Sequence, residues 1–388
     1  EFGMSFTNTV VFDYPTVDDL ATHVDGMRAR RGDQAVAAAG LVRSHDKSDS
    51  RNRPVAIVAA THRFPNGGWD DSCGVGRGPH ASTSTSRSAT TRWTAGIEIQ
   101  SLVPPARWDL EAHYAPAQMR EHMYVRVGGW LNRVDMFDHA AFGLSRDEGL
   151  AMDPQLRLLL ELTHELTHGL AHGPTGARGA ASLSTSTNLT SNFVGCMYQE
   201  YLDGVLGPAG MADTTPAAIT STGMSFLVGR LSYHFNLRGQ SVACDTACSS
   251  SLVAVHLARA AIRDGPGGPG RALAHGVNMM LSPHTTSRIC MLQALSPVGR
   301  CKTADASADG YGRSESGMSV LLGGWPDEGT ASAEGTGEAL AHLLGCGIGH
   351  NGTTGGISAP HGPSQTRLIA DVWAEAGVDV LGATSLHG

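Results

Sequence analysis

The run from Val242 to Ala258, V-A-C-D-T-A-C-S-S-S-L-V-A-V-H-L-A, constrains this chain more than any other stretch. It opens as a strand: Ser241 to Cys244 are β-compatible, and the small residues Thr246 and Ala247 follow. It closes as a helix. Ser249 to Ser251 supply polar groups for a first turn, and Leu252 to Ala261 are apolar almost all round, broken only by His256 and Arg259. A helix apolar on every face is buried inside a large domain. Cys248 is therefore expected at the N-terminus of a buried helix, where free N–H groups and the positive dipole end favour an anion. A thiol with an ordinary pKa of about 8.5 is drawn toward thiolate in such a place, and the thiolate is the nucleophile. The competing reading is a buried structural cysteine, the commoner fate of a free Cys.

Length allows one large domain or two ordinary ones, since there are 388 residues. A net charge of −8 argues against nucleic acid or an anionic membrane surface as partner. No apolar run approaches the ~20 residues of a membrane span. Residues 1–20 lack the basic-then-apolar pattern of a signal peptide. The seven cysteines, Cys73, Cys196, Cys244, Cys248, Cys290, Cys301 and Cys346, contain no tight C-x-x-C pair. That count and spacing fit neither a disulfide framework nor a zinc ribbon, and imply a reducing compartment. A cytoplasmic location is expected, with the plastid left open.

Along the chain, residues 25–53 are charged and Ala/Gly-rich and read as a linker. Pro54 to Ala60, P-V-A-I-V-A-A, is an apolar strand. Residues 70–101 are Gly-rich, then Ser/Thr-rich, and read as a loop. Asp153 caps and Pro154 opens a helix running to about His168. Residues 178–192 are a Ser/Thr-rich loop before the strand Phe193-Val194-Gly195, and G-P-G-G-P-G at 265–270 is a turn. Toward the end, Leu343 to Ile348 is expected as a strand, Pro363 to Gly377 as a helix and Val378 to Leu386 as a further strand.

D-T-A-C-S-S-S-L-V-A-V-H-L-A (245–258) resembles, nearly letter for letter, the active-site segment of β-ketoacyl synthases of modular polyketide synthases. H-R-F-P-N-G-G-W (62–69), the segment 103–114, A-M-D-P-Q-L-R-L-L-L-E (151–161), G-R-L-S-Y-H-F-N-L-R-G (229–239), the segment 272–283 and the segment 295–317 resemble the same family. Residues 70–101 depart from it. V-F-D-Y-P-T-V-D-D-L (11–20), with Thr16 and Asp19 spaced as in a capping box, resembles the last helix of an acyl carrier domain. The expected organisation is a carrier fragment at 1–24, the linker at 25–53, and a ketosynthase domain at 54–388 whose second half is incomplete.

The resemblance implies an α/β, thiolase-like fold: layered αβαβα, two similar halves, the second unfinished here. It implies decarboxylative Claisen condensation, with Cys248 holding the growing acyl chain as a thioester. It makes His387, in the closing S-L-H-G, the first catalytic histidine, while the second lies beyond this chain. No cofactor is bound directly and no metal is needed; phosphopantetheine arrives on a carrier domain. Acyl carrier domains and a second copy of the chain are the implied partners.

Three other constellations compete. His164-Glu165-Leu166-Thr167-His168 is a literal H-E-x-x-H, which on a helix could hold zinc with Glu165 as general base. No third ligand stands at a known spacing, so a zinc hydrolase is the alternative rather than the main reading. Gly347, Gly349 and Gly352 spell G-x-G-x-x-G with Asp371 nineteen residues on (371 − 352), but T-T-G-G rather than a helix start follows. His350 imitates the ending of a catalytic motif without its position. A non-catalytic relic that keeps only a carrier-docking surface is the third functional class left open.

Overall fold

The computed structural model describes residues 54–65, 99–117, 122–171, 189–201, 216–264, 270–324, 340–356 and 359–377. The carrier-like segment, the linker, the departure at 70–98, Cys73, the strand expected at 378–386 and His387 lie outside the described residues.

In chain order the elements are β1 (Val55–Arg63), β2 (Gln100–Leu102), α1 (Leu110–His113), β3 (Val127–Gly129), α2 (Arg146–Ala151), α3 (Pro154–Ala171), β4 (Ser191–Cys196), α4 (Pro216–Ile219), α5 (Met224–His234), β5 (Ser241–Cys244), α6 (Ser250–Asp264), β6 (Arg271–Asn278), α7 (Pro283–Met291), β7 (Ser316–Gly324), β8 (Ala341–Leu343) and α8 (Gly362–Ala376). β2 and β3 form a small antiparallel pair. The remaining strands make one mixed sheet in the order β5-β4-β6-β7-β1-β8. β4 runs parallel to β5 and to β6, whereas β7 is antiparallel to both β6 and β1.

Side-chain alternation along the strands builds two faces. Phe193, Ala272, Ala274 and Leu322 point to one side, where α6 brings Ala254, Ala258 and Ile262. Val194, Cys196 and Val277 point to the other, against Leu156, Leu159 and Leu162 of α3 and Leu227 and Leu231 of α5. Helix, sheet and helix thus form three layers, one half of the layered thiolase-like arrangement. The start of α3 is as expected: Asp153 Oδ1 accepts the N–H of Gln155 at 2.8 Å, and Pro154 follows.

Two expectations are corrected. The helix after Cys248 is not buried on every side. Leu252 is 71% exposed, while Arg259 is buried, its guanidinium donating to Glu375 of α8 at 2.8 Å and to the carbonyl of Leu344 at 2.9 Å. An arginine with its charge paired can occupy a core face that composition alone assigns to leucine. Leu343 to Ile348 is not a strand; only Ala341–Leu343 pairs, with β1, and 344–350 is irregular. The cause is packing on α8: a Cβ added at Gly345 would lie 2.6 Å from the Val372 carbonyl oxygen, so the backbone runs against the helix instead of along a strand.

No helix among the described residues is long and apolar enough to cross a membrane.

Candidate active site

The carboxyl ends of parallel strands are where side chains from separate loops converge. In this sheet β4, β5 and β6 end together, and the segment leading into antiparallel β7 returns to the same edge. After β5 the chain turns through Asp245–Ser249 into α6. Short polar side chains hold that turn. Asp245 Oδ1 accepts the N–H of Ala247 at 2.9 Å, and Ser250 Oγ accepts the N–H of Thr246 at 2.9 Å and donates to the Ala247 carbonyl at 2.7 Å. Ala247 has φ = 58°, the left-handed region that L-residues avoid at a cost of about 1–2 kcal/mol. This bend presents Cys248, which is exposed. The N–H of Val253 reaches the Ser249 carbonyl at 2.9 Å, so Cys248 stands just before the helix rather than inside its first turn.

Gly195 on β4 lets this helix start so close to the sheet. A Cβ there would lie 2.3 Å from the Ser250 carbonyl oxygen and 2.6 Å from the Ser251 nitrogen, both backbone atoms.

The exit of β6 at the same edge is polar and buried. After β6 the chain leaves the sheet, and four consecutive N–H groups find side-chain acceptors. Met279 donates to Gln155 Oε1 at 3.1 Å, Met280 to Glu315 Oε1 at 3.0 Å, and Leu281 and Ser282 to Glu200 Oε2 at 2.7 and 2.8 Å. Each buried carboxylate has its own arginine: Arg107 on Glu315, and Arg313 with Nη2 3.7 Å from Glu200 Oε1. Asp153, at the start of α3, has its pKa raised by burial to about 6, partly offset by the N–H of Gln155.

Two phenols stand at this edge of the sheet, Tyr198 just after β4 and Tyr311 shortly before β7. Burial raises the pKa of Tyr198 and of Tyr311, partly offset by the charge of Arg313. Both phenols therefore remain donors at neutral pH. The Arg313 guanidinium lies 5.5 Å from the centre of the Tyr198 ring.

The described cysteines divide by environment. Burial pushes Cys196 up to about 12 and raises Cys244, Cys290 and Cys346. Only Cys248 and Cys301 among them are exposed, and Cys301 accepts the N–H of Gly312 at 3.5 Å.

The H-E-x-x-H segment lies on α3 as its spacing predicts, but Glu165 is tied by both carboxylate oxygens to Arg63, and the His164 ring packs edge-on against Phe142 with centroids 5.6 Å apart. Both oxygens of Glu165 are thus engaged, and among the described residues no group of three or more His, Cys, Asp or Glu is placed to hold a metal ion, so the zinc reading finds no support. In the G-x-G-x-x-G stretch, Gly347 and Gly349 pack on Leu368, and His350 Nδ1 accepts the N–H of Gly352 at 2.9 Å. That stretch has the form of an exposed loop, not of a phosphate cradle.

Sequence reasoning singled out Cys248 and gave no part to Tyr198, Glu200, Tyr311, Arg313 or Glu315, which the fold gathers at the same sheet edge. The available signal was G-Y-G-R-S-E-S-G, where two charges stand among glycines and serines directly before an apolar strand.

Residues 52–324 match the family model described as "Beta-ketoacyl synthase, N-terminal domain". The chain is 34% identical over 383 residues to erythronolide synthase EryA3 of Saccharopolyspora erythraea, covering 97% of this chain and 11% of that protein. It is also 34% identical over 390 residues to pikromycin polyketide synthase component PikAII of Streptomyces venezuelae, covering 96% and 9%. The oxazolomycin ketosynthase domain OzmH KS7 of Streptomyces albus JA3453 matches with a TM-score of 0.69 and 30% identity, over 84% of this chain and 52% of that one. A ketosynthase from module 6 of the bacillaene synthase of Bacillus subtilis 168 matches with a TM-score of 0.65 and 26% identity, over 84% and 49%. The chain thus spans about a tenth of these curated relatives and about half of the solved ketosynthases. With its thiolase-like sheet and a cysteine presented between β5 and α6, this chain belongs to the β-ketoacyl synthase family.

Proposed function

We propose that this chain is a ketosynthase of a modular polyketide synthase and catalyses decarboxylative Claisen condensation with Cys248 as nucleophile. The observation that carries the reading is the exposed turn at Cys248, set just before α6, while four other described cysteines are held as inert thiols by burial. In the first step the Cys248 thiolate attacks the carbonyl of an acyl carrier thioester. A new C–S bond forms, and the carrier thiolate leaves and takes up a proton. In the second, a malonyl-type carrier thioester loses CO₂ and leaves an enolate, whose carbon attacks the acyl-Cys248 carbonyl. The C–S bond to Cys248 breaks, giving a β-ketoacyl carrier thioester and regenerating the thiolate. Both oxyanions need hydrogen-bond donors in a water-poor site. His387 is proposed as one of them.

Phosphopantetheine enters as part of the substrate, on the carrier. Acyl carrier domains and a second copy of the chain are the proposed partners. An open edge at β5, where Ser241 and Val242 are exposed, supports the second copy.

The test is acylation of the full chain by an acyl N-acetylcysteamine thioester, followed by peptide mapping. The acyl group is expected on Cys248, and Cys248→Ala is expected to abolish loading while Cys244→Ala retains it. Labelling of Cys301 with Cys248 untouched would sink the assignment.

A further inference from the structure

Resting on Cys248 as the acyl-bearing residue, we propose that Tyr198 recognises the acyl group. Its phenol O–H donates a hydrogen bond to an oxygen carried close to the thioester, so acyl groups with oxygen on the third carbon are favoured over fully reduced chains.

The placement follows from the sheet. β4 and β5 are parallel neighbours with Gly195 opposite Cys244. Tyr198 lies three residues beyond the first and Cys248 four beyond the second, so the two chains leave the sheet side by side.

The ring is braced, and its oxygen is free. The Tyr198 carbonyl accepts Gln155 Nε2 at 2.7 Å, which fixes the backbone. Beneath the ring sits the buried Arg313 guanidinium, itself held by Thr286 Oγ1 at 2.5 Å and by Glu200. Among the described residues, no group hydrogen-bonds the Tyr198 phenol oxygen. An oriented donor with no partner of its own, next to a nucleophile, is the arrangement that rewards an oxygen on the substrate and penalises a methylene. Tyr311 is the more exposed ring, at 43%, whereas the Arg313 guanidinium braces the ring of Tyr198. Arg313 is a positioning residue: it acts through the Tyr198 ring.

The experiment compares the rates at which 3-hydroxybutanoyl and butanoyl N-acetylcysteamine thioesters acylate the full chain, read by intact mass. The parent is expected to prefer the hydroxylated acyl group by about tenfold, one good hydrogen bond. Tyr198→Phe keeps the ring and removes the donor, so it should erase the preference by slowing only 3-hydroxybutanoyl loading. Arg313→Lys, which cannot stack as a planar cation, should reduce the preference in the same direction. Should Arg313→Lys fail to fold, Tyr198→Phe alone decides. A parent that loads both thioesters equally, or a Tyr198→Phe variant that slows both by the same factor, overturns the role of Tyr198 and leaves the condensing reading standing. If neither thioester loads Cys248 in the parent, the condensing reading falls and this role falls with it.

Discussion

Glu315, fully buried just before β7, receives Arg107 through two hydrogen bonds, Nε to Oε1 at 3.1 Å and Nη2 to Oε2 at 2.9 Å. The same carboxylate takes the N–H of Leu131 at 2.7 Å and that of Met280 at 3.0 Å. One side chain therefore joins the loop before α1, the end of the β2–β3 pair and the exit of β6. The charge is stable in the interior because all its donors are in place.

Removing one partner should be far worse than exchanging both. Arg107→Leu leaves a buried carboxylate uncompensated and is expected to lower stability by about 3–5 kcal/mol. Urea unfolding measures it. A loss below about 1 kcal/mol, the range of a surface pair, would show that water reaches Glu315.

Gly195→Ala is expected to act on the site through the backbone. Its new Cβ meets the Ser250 carbonyl at 2.3 Å, so the start of α6 must shift and carry Cys248 with it. Overpacking of this kind costs about 1–3 kcal/mol. Iodoacetamide alkylation of Cys248 in the folded variant should also change from the parental rate; an unchanged rate would show that the turn moves independently of the helix.

His275 should make the fold sensitive to acid. Its ring is wholly buried on β6, with Nδ1 sharing a 2.7 Å hydrogen bond with Ser319 Oγ and Nε2 without a partner. Burial lowers its pKa from 6.5 to about 3. The unfolded chain therefore takes up a proton near pH 6.5 that the folded chain refuses until about pH 3. Stability from the neutral ring is present above pH 6.5 and is lost as pH falls toward 3. The double variant His275→Leu with Ser319→Ala removes both polar groups, so melting temperatures at pH 4.5 and pH 8 should lie closer together than in the parent. An equal spacing would assign the acid sensitivity elsewhere.

Glu161 should give the opposite slope. It lies on α3 in a cleft with Arg63, Arg157 and Met279. Burial, assisted by Glu165 and Asp138 and opposed by Arg63 and Arg157, raises its pKa from 4.5 to about 7. The folded chain holds a proton that the unfolded chain releases near pH 4.5. That contribution is full below pH 4.5 and is lost as pH rises through about 7. Glu161→Gln is thus expected to match the parent at pH 4 and to exceed it at pH 8, as thermal unfolding would report. A variant less stable than the parent at pH 8 would contradict this.

Local chemistry determined much of this molecule. The Asp153–Pro154 helix start was legible because a cap needs only neighbouring residues. The strand-turn-helix around Cys248 was legible because short polar residues close such a turn by themselves. Even the packing helix at the end of the described chain could be placed, from Pro363 to Gly377. What the tertiary structure decided depends on residues far apart in sequence. Arg259 became a core residue because Glu375, more than a hundred positions away, pairs with it. Gly345 was drawn out of a strand by Val372. Glu200 and Glu315 became the acceptors for a bend after β6 that no periodicity marks. The physical reason is the same in each case. A charge or a glycine carries no periodic signal of its own, and its role is set by whichever backbone groups the fold leaves unsatisfied or brings too close.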